Sequence, residues 1–162
     1  MAKEDMVQFN TEQVKRIRAG LAEAKKALQD AKPAYKRVGV FLDSWVQRNF
    51  QGEGSFVGGW EDFAAGGRVV NGVLDTSAKL LQDTGALRAS FYPFALKDNA
   101  GIGSELPYAK KHEEGEGNVP QRRMLPNEKE VGKDIRDILE EYTTGLLDGI
   151  RSAFKSSKKT GK

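Results

Sequence analysis

The sequence has no cysteine, one histidine and five prolines in 162 residues. Without Cys there is no disulfide framework, no thiolate metal site and no cysteine nucleophile, which agrees with folding in a reducing compartment. With a single His the chain has little of the side chain that titrates most readily near neutrality, and acid–base chemistry is restricted accordingly. Nowhere do about 18 apolar residues run together, and the opening MAKEDMVQFN has no apolar stretch, so neither a membrane span nor a secretory leader is expected. The length suits one soluble domain with a modest core, taken as residues 1–154, followed by a basic tail at 155–162.

Net charge is also small, at +3, but it is unevenly laid out. Residues 1–50 carry +4, residues 51–150 carry −6 and residues 151–162 carry +5. A plus–minus–plus layout suits head-to-tail contact between copies, or contact with charged partner surfaces, better than a uniform nucleic-acid-binding face.

What is present is helical at both ends. Asn10 and Gln13 form a capping pair, with Phe9 placed to staple against Val14. Val14, Ile17, Leu21, Ala24, Leu28 and Ala31 then trace a narrow apolar seam, softened by Gly20 at about 1 kcal/mol relative to Ala. Pro33 either opens a second helix or kinks a continuous one. Val38, Phe41, Leu42, Trp45, Val46 and Phe50 make a wider stripe that reads as core. Near the C-terminus, Asn127 and Glu130 are a second capping pair, opening a helix whose core face is Val131, Ile135, Ile138, Leu139, Tyr142, Leu146 and Ile150, with Phe154 as an extension.

The middle is different in character. Residues 51–67 hold six Gly with Phe56, Trp60 and Phe63 among them, so no helix or strand is expected there. The aromatics read either as anchors that pin a long loop or as a contact surface. The segment lacks the Lys-Ser/Thr of a phosphate-binding loop and the spacing of a dinucleotide fingerprint. Val69 to Leu74 is compatible with a minimal hairpin turning at Asn71-Gly72, although its flanks are short. Asp83 or Thr84 can cap a short helix carrying Leu87. Phe91 to Leu96 and Ala100 to Ser104 then read as strands joined at Asp98-Asn99, with Pro93 marking an edge or a bulge. Pro107 to Glu114 is a short helix closed by Gly115, and residues 116–126 are a turn followed by an extended stretch. The fold class is α+β: two N-terminal helices, a small antiparallel sheet, a short helix and a long C-terminal helix in one domain.

No active site follows from these elements. His112 beside Glu113 and Glu114 is the one grouping that hints at metal or acid–base work, but a zinc or iron site needs at least three separated ligands. Ser90 and Ser104 have no base. No catalytic residue, metal or cofactor is expected.

Several segments, taken together, are similar to one phage family. They are Trp60 after a Gly-rich stretch, LLQDTGALRASF at 80–91, AGIGSELPYAKKHEEG at 100–115 and VPQRRML at 119–125. In this order and spacing, roughly over residues 45–150, the chain resembles the virion morphogenesis, or tail completion, family that includes protein G of phage Mu and protein S of phage P2. The family pattern falls on Trp60, Leu81, Gln82, Thr84, Gly85, Leu87, Ser90, Gly103, Tyr108, Ala109, His112, Pro120 and Arg122. The chain departs from it at Arg123 and Met124, where Pro and Phe are common, and at Glu113, where Gln often stands.

The resemblance implies a non-catalytic neck component of the virion, made in the host cytoplasm and added during tail assembly so that the tail can join the DNA-filled head. It implies a ring matching the sixfold tail, a hexamer, in contact with other neck and tail proteins and with no membrane. In a ring the contacts are heterologous, so different faces of one subunit must complement each other. Within it, Thr84-Gly85 reads as a turn and cap aiming Leu87 into the core, with Gly85 required because a side chain would crowd the turn. Tyr108 and His112 share a helical face toward the sheet or a neighbour. Arg122 is the candidate for an interface salt bridge, the Arg122-Arg123 pair facing an acidic partner, and Trp60 and Pro120 complete the candidate set. The Lys-rich tail either follows the ring surface, approaches DNA in the channel or is simply solvated. A tail terminator that caps the tube is the nearest alternative, and a nucleic-acid-binding accessory factor is the alternative from another class.

Overall fold

The computed structural model describes residues 11–64 and 66–156. The first helix, α1 (Thr11–Gln29), is followed after two residues by α2 (Lys32–Gln51). Pro33 therefore starts a new helix instead of kinking one, and the Asp30 carboxylate accepts from the Lys32 amide at 3.1 Å. The expected cap at Asn10 and staple at Phe9 lie outside the described residues.

Burial is concentrated along α2. Val38, Leu42, Trp45, Val46 and Phe50 all lie in the core, and Val46 and Phe50 are 0% exposed. Complete burial of such a side chain is worth about 1.5–3 kcal/mol. Two hairpins follow. β1 (Arg68–Val70) pairs antiparallel with β2 (Val73–Asp75), and β3 (Phe91–Ala95) with β4 (Ala100–Ser104) as the expected small sheet, the two hairpins forming separate two-stranded sheets. The first turn is of type I′, with Asn71 and Gly72 both at positive φ. The second is one residue earlier than expected: Leu96 N donates to Asn99 O at 2.8 Å, leaving Lys97-Asp98 at the tip.

Alternation from the Leu96–Asn99 pair places the backbone of Pro93 on the outer edge of β3, where its missing N–H breaks no ladder bond. The inner face of this sheet packs on α2. Phe91 lies 5.7 Å from Phe50 between ring centroids, and a Cβ at Gly39 would touch Pro93. A short helix, α3 (Ala86–Ala89), precedes β3; α4 (Pro107–Glu114) and the long α5 (Glu128–Ser156) follow β4.

In α5 the capping pair forms as expected. Glu130 N donates to Asn127 Oδ1 (3.2 Å) and Asn127 N donates to Glu130 Oε2 (2.9 Å), so each satisfies a backbone donor next to the other. The helix continues through Lys155 and Ser156, past the expected domain boundary at 154; residues 157–162, and the side chain of Phe154, lie outside the described set. Val131 is buried, but the rest of the α5 stripe is half-buried. α1 packs on α5 with small residues facing small residues: Gly20, Ala24 and Ala27 across a cleft of about 310 Å³ from Gly145 and Gly149. Its expected seam is looser than the sequence suggests, with Leu21 56% exposed.

Loss of the α5 cap can be measured directly. Asn127→Ala should lower stability by about 1 kcal/mol, read as a shifted denaturant midpoint with an unchanged slope. An unshifted midpoint would show that the cap does not hold the helix start.

Candidate functional site

The segments that carry the sequence motifs converge on the C-terminal end of α2. At their centre is Asn49, a polar side chain 0% exposed on an otherwise apolar helix face. Its Nδ2 donates to Arg123 O (3.2 Å) and Met124 O (3.4 Å), and its Oδ1 accepts from Phe56 N (3.3 Å). One amide thus ties α2 to the glycine-rich loop and to the extended stretch at 119–126. Trp60 adds a second tie, its ring meeting Phe50 edge-on at 5.2 Å while Nε1 donates to Arg123 O at 2.8 Å. Trp60 is therefore a loop anchor. Phe56 is shared between the two readings, tilted against Trp45 at 5.3 Å yet substantially exposed.

The loop reaches this position through Gly54, at φ +83°, where any Cβ would collide with the Trp60 ring. Within the loop, residues Ser55–Val57 form a single 3-10 turn, a small departure from the expected absence of helix.

The 80–90 segment closes on the same helix end. Gln82 Nε2 donates to Phe50 O at 2.7 Å, satisfying a terminal carbonyl of α2, and the Glu53 carboxylate accepts from Leu80 N at 3.0 Å. Gln47 and Arg88 bond reciprocally, Arg88 Nε donating to Gln47 Oε1 at 2.7 Å and Gln47 Nε2 to Arg88 O at 3.4 Å. Leu87 enters the core as expected. Thr84 does not occupy the cap position of α3, which belongs to Gly85; its hydroxyl accepts from Ala86 N at 3.2 Å. The reason for Gly85 also differs from expectation. A Cβ there would meet nothing within 4 Å, so crowding is not the constraint; the left-handed φ of +73° is.

Tyr108 and His112, one turn apart on α4, line a cleft of about 240 Å³ with residues 81 and 83–87, so the face they share is turned to this loop. Tyr108 is exposed and His112 half-buried. The His112 Nδ1 is buried and has no hydrogen-bond partner among the described residues. Burial first, and then the Arg122 cation, hold its pKa below the ordinary 6.5. Glu113, next along the helix, receives Met124 N at 2.6 Å and Leu125 N at 3.2 Å on one carboxylate oxygen. Burial raises its pKa against the opposing pull of those amides and Arg123. A Gln carbonyl could accept in the same place, which accounts physically for the departure at this position.

Arg122 corrects the sequence reading. Its side chain is 8% exposed and points inward, Nε donating to Glu61 O (2.9 Å) and Nη2 to Asp62 O (3.5 Å), while its backbone N donates to His112 O at 2.7 Å. Among the described residues it makes no ion pair, and so buried a guanidinium is not placed for a salt bridge at a subunit interface. Arg123 is likewise engaged within the chain, pairing with Glu130, the same carboxylate that closes the α5 capping box. Pro120, half-buried, precedes this pair in the extended stretch.

A model of the phage virion morphogenesis family matches residues 9–144, reaching further toward the N-terminus than the motifs do and taking in both N-terminal helices. The chain belongs to the phage virion morphogenesis family. No curated protein and no solved structure matches it. As a member of the virion morphogenesis family it has a structural or assembly role in a phage virion. Among the described residues no helix is long and apolar enough to cross a membrane.

Trp60, Gln82 and Arg122 of the motifs in this family member thus meet, with Asn49 and Glu113, as one internal network of side chains bonded to loop backbone. Sequence reasoning missed Asn49, Gln82 and Glu113 as its connectors. Gln82 and Glu113 were marked only as motif positions without a role; Asn49 carried a signal of its own, being a polar residue three and four positions from Val46 and Trp45 on the core stripe.

Two consequences are measurable. Asn49→Ala strands Met124 C=O in the interior, at about 1–3 kcal/mol for an unsatisfied buried group, and removes the part-buried bond to Phe56 N–H, so it should cost clearly more than the α5 cap variant. A change within about 0.5 kcal/mol of wild type would remove Asn49 from the centre of the network. For His112, the unfolded state takes up a proton near pH 6.5 and the native state only lower. Stability is therefore complete above that value and falls as pH drops through the window down to the lowered native pKa. Urea midpoints from about pH 8 to about pH 5 should show this loss in wild type and not in His112→Gln, so the two converge on acidification. Parallel curves would show that His112 does not titrate in the window.

Proposed function

We propose that this protein is a tail completion component of a tailed phage, assembled as a ring at the head-proximal end of the tail, where it prepares the tail to join the filled head. Family membership over residues 9–144 is the observation that carries this reading. The plus–minus–plus charge layout supports it, because acidic middles can meet basic ends on neighbouring copies. So does the inward direction of the motif side chains, which leaves the rest of the surface for neighbours. A sixfold ring is the stoichiometry that matches a sixfold tail, and other neck and tail proteins are its partners. Thr84 and Tyr108, both exposed, remain the motif side chains open to such partners. The Lys-rich C-terminal end has the charge for contact with DNA in the channel, and equally for a solvated tail.

Disrupting the gene in the phage and examining the lysate by negative-stain electron microscopy tests the proposal. Full heads beside separate tails of normal length are expected. Overlong tails would replace completion by tail termination, and joined, infectious particles at normal yield would overturn the virion role proposed here.

A further inference from the structure

Two helices of this chain turn a charged stripe outward, and the stripes are opposite in sign. On α1, Lys15, Arg18 and Lys25, with Lys26 beside them, are exposed and recur at helical spacing through Ala22. They lie on the side of the helix opposite the half-buried Ile17, Gly20 and Ala24, and that seam is the one packed against α5. On α5, Asp137, Glu141, Thr144 and Asp148 follow spacings of four, three and four, with Glu140 alongside. All five are exposed and line a cleft of about 740 Å³ in which, among the described residues, Arg37 is the one cation. Neither stripe is satisfied within the chain. Among the described residues no ion pair joins α1 to α5; Lys15 pairs with Glu12 on its own helix, Asp148 with Arg151, and Glu141 with Arg37 at 3.8 Å. Exposed pairs of this kind hold weakly and exchange readily.

We infer that the basic stripe of α1 in one copy lies antiparallel along the acidic stripe of α5 in a second copy. The argument is one of sign, length and register. At 1.5 Å per residue, Lys15 to Lys26 and Asp137 to Asp148 each span about 16 Å. Both follow the three-and-four spacing that lets two helices lie nearly side by side. Set antiparallel with Lys15 opposite Asp148, Lys26 falls opposite Asp137, and Glu141 lies over the small Ala22, between Arg18 and Lys25. The next turn adds a pair of reversed sign, Glu12 opposite Arg151. Set parallel with Lys15 opposite Asp137, Glu12 would instead meet Asp134, a like charge. One chain cannot make this contact with itself, because its α1 stripe faces away from its own α5. Duplex DNA would match the basic stripe alone and leave the acidic one without a role. A heterologous contact needs two different faces of one chain that complement each other, which these do. Charges at such a contact govern partner choice, register and encounter rate more than affinity.

This inference deepens the ring reading and rests on it for its biological setting. Its first test is register. The chain has no native Cys, so introduced thiols report unambiguously. Glu12→Cys and Arg151→Cys, made singly in the full-length protein and mixed, should be joined to each other by a short bismaleimide; Glu12→Cys mixed with Asp134→Cys should not. The second test is charge. Lys15→Glu with Lys26→Glu, and Asp137→Lys with Asp148→Lys, should each weaken self-association about tenfold or more with an unchanged circular dichroism spectrum, because each turns attraction into repulsion. Mixing the two double variants, or combining all four substitutions in one chain, should restore it. Self-association of the wild type should fall as salt rises from about 0.05 to about 0.5 M, as contacts between exposed charges do. Double variants that associate like wild type, or a mixture that stays apart, would overturn this contact and leave the ring reading standing. So would an α1 variant that keeps its self-association and loses binding to duplex DNA, since the basic stripe would then face nucleic acid. A wild-type chain that is monomeric at every concentration would also overturn it. The microscopy result decides the role of the ring independently of all of these.

Discussion

Interior backbone that belongs to no helix or strand still has to find hydrogen-bond partners, and the rest of this fold depends on how that is met. The glycine-rich loop and the 119–126 stretch cross next to the buried end of α2, where water does not reach every amide and carbonyl. Asn49, Trp60, Gln82, Glu113 and Arg122 supply partners there, each a side chain bonded to the main chain of a distant segment. The aromatic contacts among Phe50, Trp60 and Phe91 fill the space between those bonds. Packing alone would tolerate a shifted loop; the polar ties fix one register.

Much of the architecture was legible because it obeys local rules. Apolar periodicity located α2 and α5, the Asn127/Glu130 pair placed the start of α5, and Pro107 and Gly115 bracketed α4. Local rules also set the limits. The Asn71-Gly72 turn was visible, but nothing within three residues on either side could tell that its valines would stay exposed. The cap of α3 was misplaced because Asp83, Thr84 and Gly85 all suit a helix start, and backbone conformation decided for Gly85.

The candidate site was legible as a set of residues and not as a set of roles. The segments that hold these residues do come together, yet Arg122 looked like a surface cation because arginines usually are. Its burial depends on two carbonyls roughly 60 residues earlier in the chain, at Glu61 and Asp62, which no spacing rule connects to it. Side chains that bond to backbone are hard to find this way, since the partner has no residue identity.

The span between Asn49 and Met124 also sets a clock. Their hydrogen bond joins positions 75 residues apart. At about 5–20 residues per second, synthesis takes roughly 4–15 s to supply the second partner after the first. Through that interval the Asn49 amide waits for its carbonyls, although the loop and the β3–β4 sheet that pack on α2 have already been made. The core thus closes late, once α4 and the stretch beyond it have been made, so a chain cut short before residue 124 lacks the partners that fix the end of α2.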